Sequence, residues 1–153
     1  MAVRHHVIHH PPEALWAVLE QPDLYGRWVV GTQDSRPLEG RWPEVGSSIE
    51  YTLRLGPKDV RGRTVVRRLE RPRVLELEAL SGPLGTARIA FDIRPWGDET
   101  LVLLNEHPLQ GLGGILHNVA IDAVLQIRHR AMLGRLADVV DEQQADGHRH
   151  LAG

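Results

Sequence analysis

The feature that most constrains this fold is a series of six short segments, starting near residue 30, in which apolar and polar residues alternate. A period of two is the pattern of a half-buried β-strand. It is clearest in IEYTLRL, residues 49–55, and in ARIAFDI, residues 87–93. Glycine, proline or aspartate bounds each segment, and the connections are too short for the crossover that parallel pairing requires. The segments therefore predict an antiparallel meander.

Helical sequence flanks these segments on both sides. Residues 3–10 predict a first strand that ends at two prolines, which cannot continue a ladder but can open a helix. The next residues, PPEALWAVLEQ, place Leu15, Val18 and Leu19 on one helical face. PDLYGRW then predicts one further helical turn. After residue 112, apolar residues recur at helical spacing over about seven turns, which predicts one long C-terminal helix.

This order of elements predicts an α+β fold. Seven antiparallel strands are expected to wrap around a C-terminal helix of residues 112–142, with two short helices after the first strand. The long helix is the only element large enough to cover the apolar face of the sheet. A curved sheet leaves a cavity wherever the side chains beneath the helix are too small to meet. We expect one domain, residues 1–142, and a polar, disordered tail, residues 143–153.

Composition narrows the classes of function. With 18 basic and 20 acidic residues the net charge is −2, so the chain lacks the long-range attraction that draws basic domains to nucleic acid or anionic membranes. The absence of cysteine excludes disulfides, thiolate metal sites and cysteine nucleophiles. No stretch approaches the roughly 18 apolar residues of a membrane span. A cytoplasmic monomer or homodimer is expected, without nucleic-acid partners or integral membrane association. The arginines of residues 61–73 are expected on a solvated outer face.

Two motifs resemble known kinds of site, a metal site and a phosphate-binding loop, but neither has the spacing or the residues that such a site requires. Four histidines lie on the first strand, but same-face partners four residues apart are roughly 13 Å apart, whereas each zinc ligand lies about 2 Å from the metal. We therefore expect no metal, no cofactor and exposed histidines. The glycine-rich segment Leu109–Ile115 lacks the Lys-Ser/Thr that follows a phosphate-binding loop. We interpret it as a hinge and gate over the cavity, since glycine tolerates unusual backbone angles.

The opening VIHHPPEALWAVLEQPDLYGRW resembles the START-like (SRPBCC) helix-grip superfamily, which includes polyketide cyclases, dehydratases and lipid-transfer proteins. VVRRLERPRVLELE and GDETLVLLNEH are similar to later strands of that superfamily, and the likeness extends from Val3 to Glu142. The resemblance implies a helix-grip fold with an internal cavity, and it places Trp28 at one end of that cavity. It does not select among enzymes, carriers and sensors.

Strand parity gives a candidate lining for the cavity. The inward positions are mostly aliphatic with a few polar groups, as in pockets for apolar small molecules. Asn118 and His117, in the first turns of the long helix, either bind a ligand carbonyl or satisfy the start of the helix. The candidate ligand-binding residues are Trp28, Tyr51, Leu53, Thr64, Val66, Leu77, Ala87, Ile89, Phe91, Val102, Leu104 and Asn118.

Glu106, Arg68 and Tyr51 are the candidate catalytic residues. If Arg68 and Glu106 both point inward, they must pair with each other or meet a ligand, since lone buried charges are very costly. A carboxyl group among apolar side chains can act as a general acid or base. The alternative is that both side chains reach solvent.

Three functions remain open at this stage. The first is binding of a hydrophobic small molecule as a carrier or sensor, the second is a polyketide cyclase/dehydratase-type enzyme, and the third is a protein-interaction module. The chain has seven aromatic residues, and few are expected to point inward. This scarcity argues against polyketide cyclisation and favours simple apolar binding.

Overall fold

The computed structural model describes residues 2–29, 32–55, 57–80, 86–110 and 131–146. Seven strands form one antiparallel sheet in the order β1-β7-β6-β5-β4-β3-β2, so β1 and β2 are its edges. This arrangement confirms the predicted meander and the α+β class. The strands are β1 Ala2–Ile8, β2 Thr32–Glu39, β3 Ser48–Leu55, β4 Lys58–Glu70, β5 Val74–Leu80, β6 Thr86–Trp96 and β7 Glu99–Gln110.

The helices follow the order predicted from the sequence. α1 is Pro12–Leu19, and a 3₁₀ turn, Pro22–Leu24, leads directly into α2, Tyr25–Trp28. Residues 131–146 form the described part of the C-terminal helix, α3. α3 continues past its predicted end at residue 142, because Gln143, Gln144 and Ala145 are tolerated in a helix and the next glycine after residue 142 is Gly147. The predicted beginning of this helix and the glycine-rich part of the gate lie outside the described residues.

One face of the sheet, here called the inner face, carries the core. The largest fully buried side chains include Ile49, Leu77 and Ile93 from the strands, and Met132 and Leu133 from α3. α1 contributes a buried surface as predicted, with Leu15, Val18 and Leu19 at most 2% exposed. The core therefore lies between the inner face and the helices, which is the position where the sequence predicts a cavity.

Polar contacts position the end of α3. His10 Nε2 lies 2.6 Å from Asp141 Oδ1, which connects the segment after β1 to α3. Arg27 of α2 pairs with Glu142 on the same turn of α3. These contacts place the C-terminal end of α3 beside the chain that leaves β1.

The opposite face of the sheet, here called the outer face, carries charged pairs. Arg67 lies 3.0 Å from Glu78, and Glu76 receives both Arg68, at 3.1 Å, and Arg88, at 3.2 Å. All the arginines between residues 61 and 73 are exposed. The predicted solvated outer face is confirmed.

Candidate ligand-binding site

Most of the predicted lining residues lie together on the inner face. Cross-strand pairing places them in shared rows, for example Val66–Leu77–Ile89–Glu106 and Leu75–Phe91–Leu104. Ala87 is half-buried, and the side chain of Leu53 and all of Asn118 and His117 lie outside the described structure. The buried members of the predicted set are Trp28, Tyr51, Thr64, Val66, Leu77, Ile89, Phe91, Val102 and Leu104, and the candidate catalytic residue Glu106 is buried beside them. Their role in ligand binding stays a prediction.

Arg68 does not belong to this set, which corrects one candidate. A β-bulge between Val66 and Arg68 inserts Arg67 as one extra residue, so Arg68 pairs with Glu76 on the outer face. Hydrogen bonds to Glu76 and Glu70 raise the pKa of the Arg68 guanidinium, which is exposed. Strict alternation predicted the wrong face because the bulge shifts parity by one. Arg68 is therefore separated from Glu106 by the thickness of the sheet.

Glu106 is the one carboxylate buried on the inner face among the described residues. It is 1% exposed, and its direct neighbours across the sheet are Ile89 on β6 and Ala2 on β1. The sequence left open whether this residue points inward or reaches solvent, and the structure places it inside.

Five of the seven aromatic residues form one cluster on the inner side, which the sequence did not predict. Here we call it the aromatic cluster: Tyr25, Trp28, Trp42, Tyr51 and Phe91. The ring centroid of Tyr25 lies 5.2 Å from that of Trp28, 5.5 Å from that of Tyr51 and 6.5 Å from that of Trp42. The ring centroids of Trp28 and Phe91 are 5.8 Å apart. The expectation that few aromatic rings point inward is wrong, and with it the argument drawn from their scarcity.

The position of Tyr51 depends on a glycine in the adjacent strand. Tyr51 on β3 is directly opposite Gly62 on β4. A Cβ at Gly62 would lie 2.7 Å from two ring carbons of Tyr51. Only glycine allows the ring to lie flat against the backbone of β4. Tyr25 Oη is held 2.7 Å from Thr64 Oγ1 on the same strand, which fixes the neighbouring ring.

Trp28 differs from the other two tryptophans of the interior in the state of its indole N–H. Trp16 Nε1 donates to the carbonyl of Pro72 at 2.8 Å, and Trp42 Nε1 donates to the carbonyl of Leu19 at 2.9 Å. Trp28 is 2% exposed, and its buried Nε1 has no hydrogen-bond partner within the described structure. Because buried donors are normally paired, this N–H is a candidate contact for a ligand oxygen.

The inner face of β1 carries polar residues that sequence reasoning missed. Ile8 is fully buried opposite Thr100, and the register runs unbroken along the strand, so His6 and Arg4 share its face. Both are half-buried, whereas His5 and His9 are exposed. The expectation that these four histidines are exposed is therefore wrong for His6 and for His10, which is also half-buried. The alternation Arg4-His6-Ile8, anchored by an apolar residue, was the available signal.

Two other kinds of site are not found in the part of the chain that the structure describes. Among these residues, no group of three or more histidine, cysteine, aspartate or glutamate side chains is arranged to hold a metal ion. Nor does any described helix have the length and apolar character to cross a bilayer.

An antiparallel sheet packed on a C-terminal helix, with an apolar inner face, defines a helix-grip protein. The chain belongs to the family described as polyketide cyclase / dehydrase and lipid transport, whose model matches residues 2–141. The superfamily resemblance seen in the sequence is confirmed. No curated protein matches the chain by sequence.

Solved structures share the fold at low sequence identity. The Zhui aromatase/cyclase from Streptomyces sp. R1128 superposes with a TM-score of 0.68 at 13% identity, covering 93% of each chain. A protein of Thermus thermophilus gives a TM-score of 0.67 at 14% identity, covering 93% of this chain and 97% of its own. The structure of Ara h 8.0201 gives a TM-score of 0.71 at 10% identity, covering 92% and 96%. At these identities the likeness concerns the fold alone.

Proposed function

We propose that this protein binds a hydrophobic small molecule between the inner face of the sheet and α3, as a carrier or sensor of a lipid-like or polyketide-like metabolite. The observation that carries the proposal is the buried indole N–H of Trp28 inside the aromatic cluster, which has no hydrogen-bond partner among the described residues. Aromatic rings supply large apolar contact areas, and a single donor among them can orient a ligand that carries an oxygen atom. A packed core has no comparable use for an unpaired donor.

Native mass spectrometry of protein purified from its own host tests the proposal directly. We expect a retained small molecule that denaturing conditions release. We also expect one saturable site for the neutral dye N-phenyl-1-naphthylamine, and displacement of the dye by dodecan-1-ol. Absence of both a retained molecule and a saturable dye site would refute the proposal.

Intrinsic fluorescence can locate the site, because dodecan-1-ol is transparent where tryptophan emits. We expect dodecan-1-ol to shift the emission of the wild type and to leave that of Trp28→Phe unchanged. Trp42→Phe is the matched control, since it lies in the same cluster but its N–H is already bonded. Trp42→Phe should retain the ligand response and lose about 1 kcal/mol of stability with its hydrogen bond. A ligand response that survives in Trp28→Phe would place Trp28 outside the site.

A polyketide cyclase/dehydratase-type activity in the same cavity is the second candidate. Two observations favour it: Glu106 is buried on the inner face, and the aromatic cluster is larger than the sequence predicted. Glu106 would act as the general base or acid, and Tyr51 would orient the substrate. Arg68 has no part in this proposal, because it is exposed on the outer face.

Ligands recovered from a variant distinguish carrier from dehydratase. A dehydratase with Glu106→Gln should retain its substrate, which is heavier than the wild-type ligand by one water molecule. Identical ligands in the two proteins would favour the carrier. A cytoplasmic location, a monomeric or homodimeric state and the absence of nucleic-acid partners stay predictions.

A further inference from the structure

Arg4 lies on the inner face, close enough to the aromatic cluster for one ligand to contact both. Arg4 on β1 is directly opposite Leu104 on β7, and Leu104 is directly opposite Phe91 on β6. These three residues form one cross-strand row on the inner face. Adjacent strands are about 4.8 Å apart, so the backbone of Arg4 lies roughly 10 Å from that of Phe91. Phe91 in turn packs against Trp28. Arg4 and the aromatic cluster therefore lie within the span of one small molecule.

The guanidinium of Arg4 is incompletely satisfied. Its Nε is buried and has no hydrogen-bond partner within the described structure. Arg68 and Arg94 of the outer face donate from Nε to carboxylates, and Arg88 Nε, which is also buried without a hydrogen bond, still lies 3.2 Å from the carboxylate of Glu76. A buried cationic donor without an acceptor is costly, because it loses its hydration without replacement. This donor accordingly calls for an acceptor from outside the described residues.

Glu106 determines what kind of acceptor is favoured. It is the diagonal neighbour of Arg4 on the inner face, two residues along β7 from Leu104, at a separation that long side chains can reach across. The guanidinium of Arg4 is thus close to the carboxyl group of Glu106. A ligand carboxylate there would lie beside a second carboxyl group, and two such groups that share a site do not both ionise readily, whereas a neutral oxygen acceptor meets no such conflict.

We propose that Arg4 is a specificity-determining residue that binds a carbonyl oxygen of the ligand through Nε–H. This inference rests on the proposed function, because it requires a ligand on the inner face. It assigns that ligand a neutral carbonyl group about one strand spacing beyond its apolar body, at the β1 edge of the sheet. The chemical class is then an apolar ketone or ester, not a free fatty acid.

Three dyes with a naphthalene body test the inference. N-phenyl-1-naphthylamine has no oxygen acceptor, 6-propionyl-2-(dimethylamino)naphthalene has a ketone, and 8-anilinonaphthalene-1-sulfonate has an anionic group. We expect Arg4→Met to weaken binding of the ketone dye by about tenfold, as loss of a charge-assisted hydrogen bond would. Binding of the dye without oxygen should change by less than about twofold, a ratio that a general loss of structure could not produce.

Matched variants control for charge and folding. Arg94→Met removes the same charge from the outer face, where Arg94 pairs with Asp92 at 2.9 Å, and it should leave all three affinities unchanged. Arg4→Lys keeps the charge but removes Nε–H, so it should also weaken the ketone dye selectively. It serves as the test if Arg4→Met fails to fold.

The outcomes separate this inference from the proposed function. If the wild type binds none of the dyes and retains no small molecule, the proposed function fails. If the dye without oxygen binds but Arg4→Met leaves the ketone dye unaffected, only the role of Arg4 is refuted. A selective loss of the sulfonate dye would also overturn the inference, because the preferred group would then be an anion.

Discussion

The polar groups on the two faces of the sheet have different surroundings. On the outer face, arginines and carboxylates alternate across strands β4 to β6, and each pair remains in contact with water. Buried polar atoms without a partner in the described structure occur on both sides of the sheet, namely Arg4 Nε and Trp28 Nε1 on the inner side and Ser48 Oγ, Arg88 Nε and Asn105 Oδ1 on the outer side, but only the inner two face the candidate ligand site. Water can replace an exposed ion pair of the outer face at low cost, but it cannot replace a buried contact in this way. A polar group on the inner face that lacks a partner is therefore the better indication of a ligand contact.

Among the substitutions proposed here, we expect the largest loss of stability from Gly62→Ala, next to the inner face. Gly62→Ala forces a Cβ into the ring of Tyr51, at 2.7 Å from two of its carbons, so the ring or the strand must move. Overpacking of this kind costs about 1–3 kcal/mol. We expect urea unfolding to show that loss, together with altered emission from the aromatic cluster.

Gly134→Ala is the matched control for this substitution. Gly134 lies in α3, and an added Cβ there would meet no described atom within 4 Å apart from the backbone of its own helix. The change should stabilise the protein by up to about 1 kcal/mol, since alanine is the better helix former. Equal effects of the two substitutions would contradict the close packing between Tyr51 and Gly62.

The difference between the faces also explains which parts of the structure could be predicted. Strand alternation and turn residues act locally, so the seven strands, α1 and the turn at α2 follow from short stretches of sequence. The face of Arg68 could not be obtained in this way, because the bulge at Arg67 becomes visible only when β4 is aligned with β5. Arg4 is a different case: the local alternation Arg4-His6-Ile8 indicated its face, and the pairing of β1 with β7 shows it.

The aromatic cluster shows the same limit for the candidate site. Its members come from α2, the segment before β3, β3 itself and β6, and no short window of sequence contains them all. Three members were predicted as lining residues, Trp28 from the family resemblance and Tyr51 and Phe91 from strand parity, whereas Tyr25 and Trp42 were not. Counting aromatic residues could not show that five of the seven would meet. Counts describe composition, whereas a site requires long-range packing.

A smaller loss of stability is expected from a substitution on the outer face. Glu76→Gln removes the charge that Arg68 and Arg88 share, at 3.1 Å and 3.2 Å. Exposed ion pairs contribute about 0.2–1 kcal/mol, so we expect a loss within that range. Raising the salt concentration should reduce the difference from the wild type, because salt screens exposed charges. A loss as large as that of Gly62→Ala would show that the outer face is not freely solvated.

The smallest effect is expected at His9, whose side chain is 79% exposed. A hydrogen bond with Glu99 and the negative charge of Glu99 raise the pKa of His9 above its ordinary value of 6.5; Asp141 adds a smaller effect in the same direction, and partial desolvation opposes it. The folded state therefore holds this proton more tightly than the unfolded state. The resulting stability is fully present below about pH 6.5 and is lost as pH rises through the higher pKa of His9 in the folded protein.

The measurement is the urea concentration at the unfolding midpoint, followed across this pH range for the wild type and Glu99→Gln. The stability difference between the two should be largest at the acidic end and disappear at the alkaline end. A difference that grows with pH would show that the pair does not favour protonated His9 in the folded state.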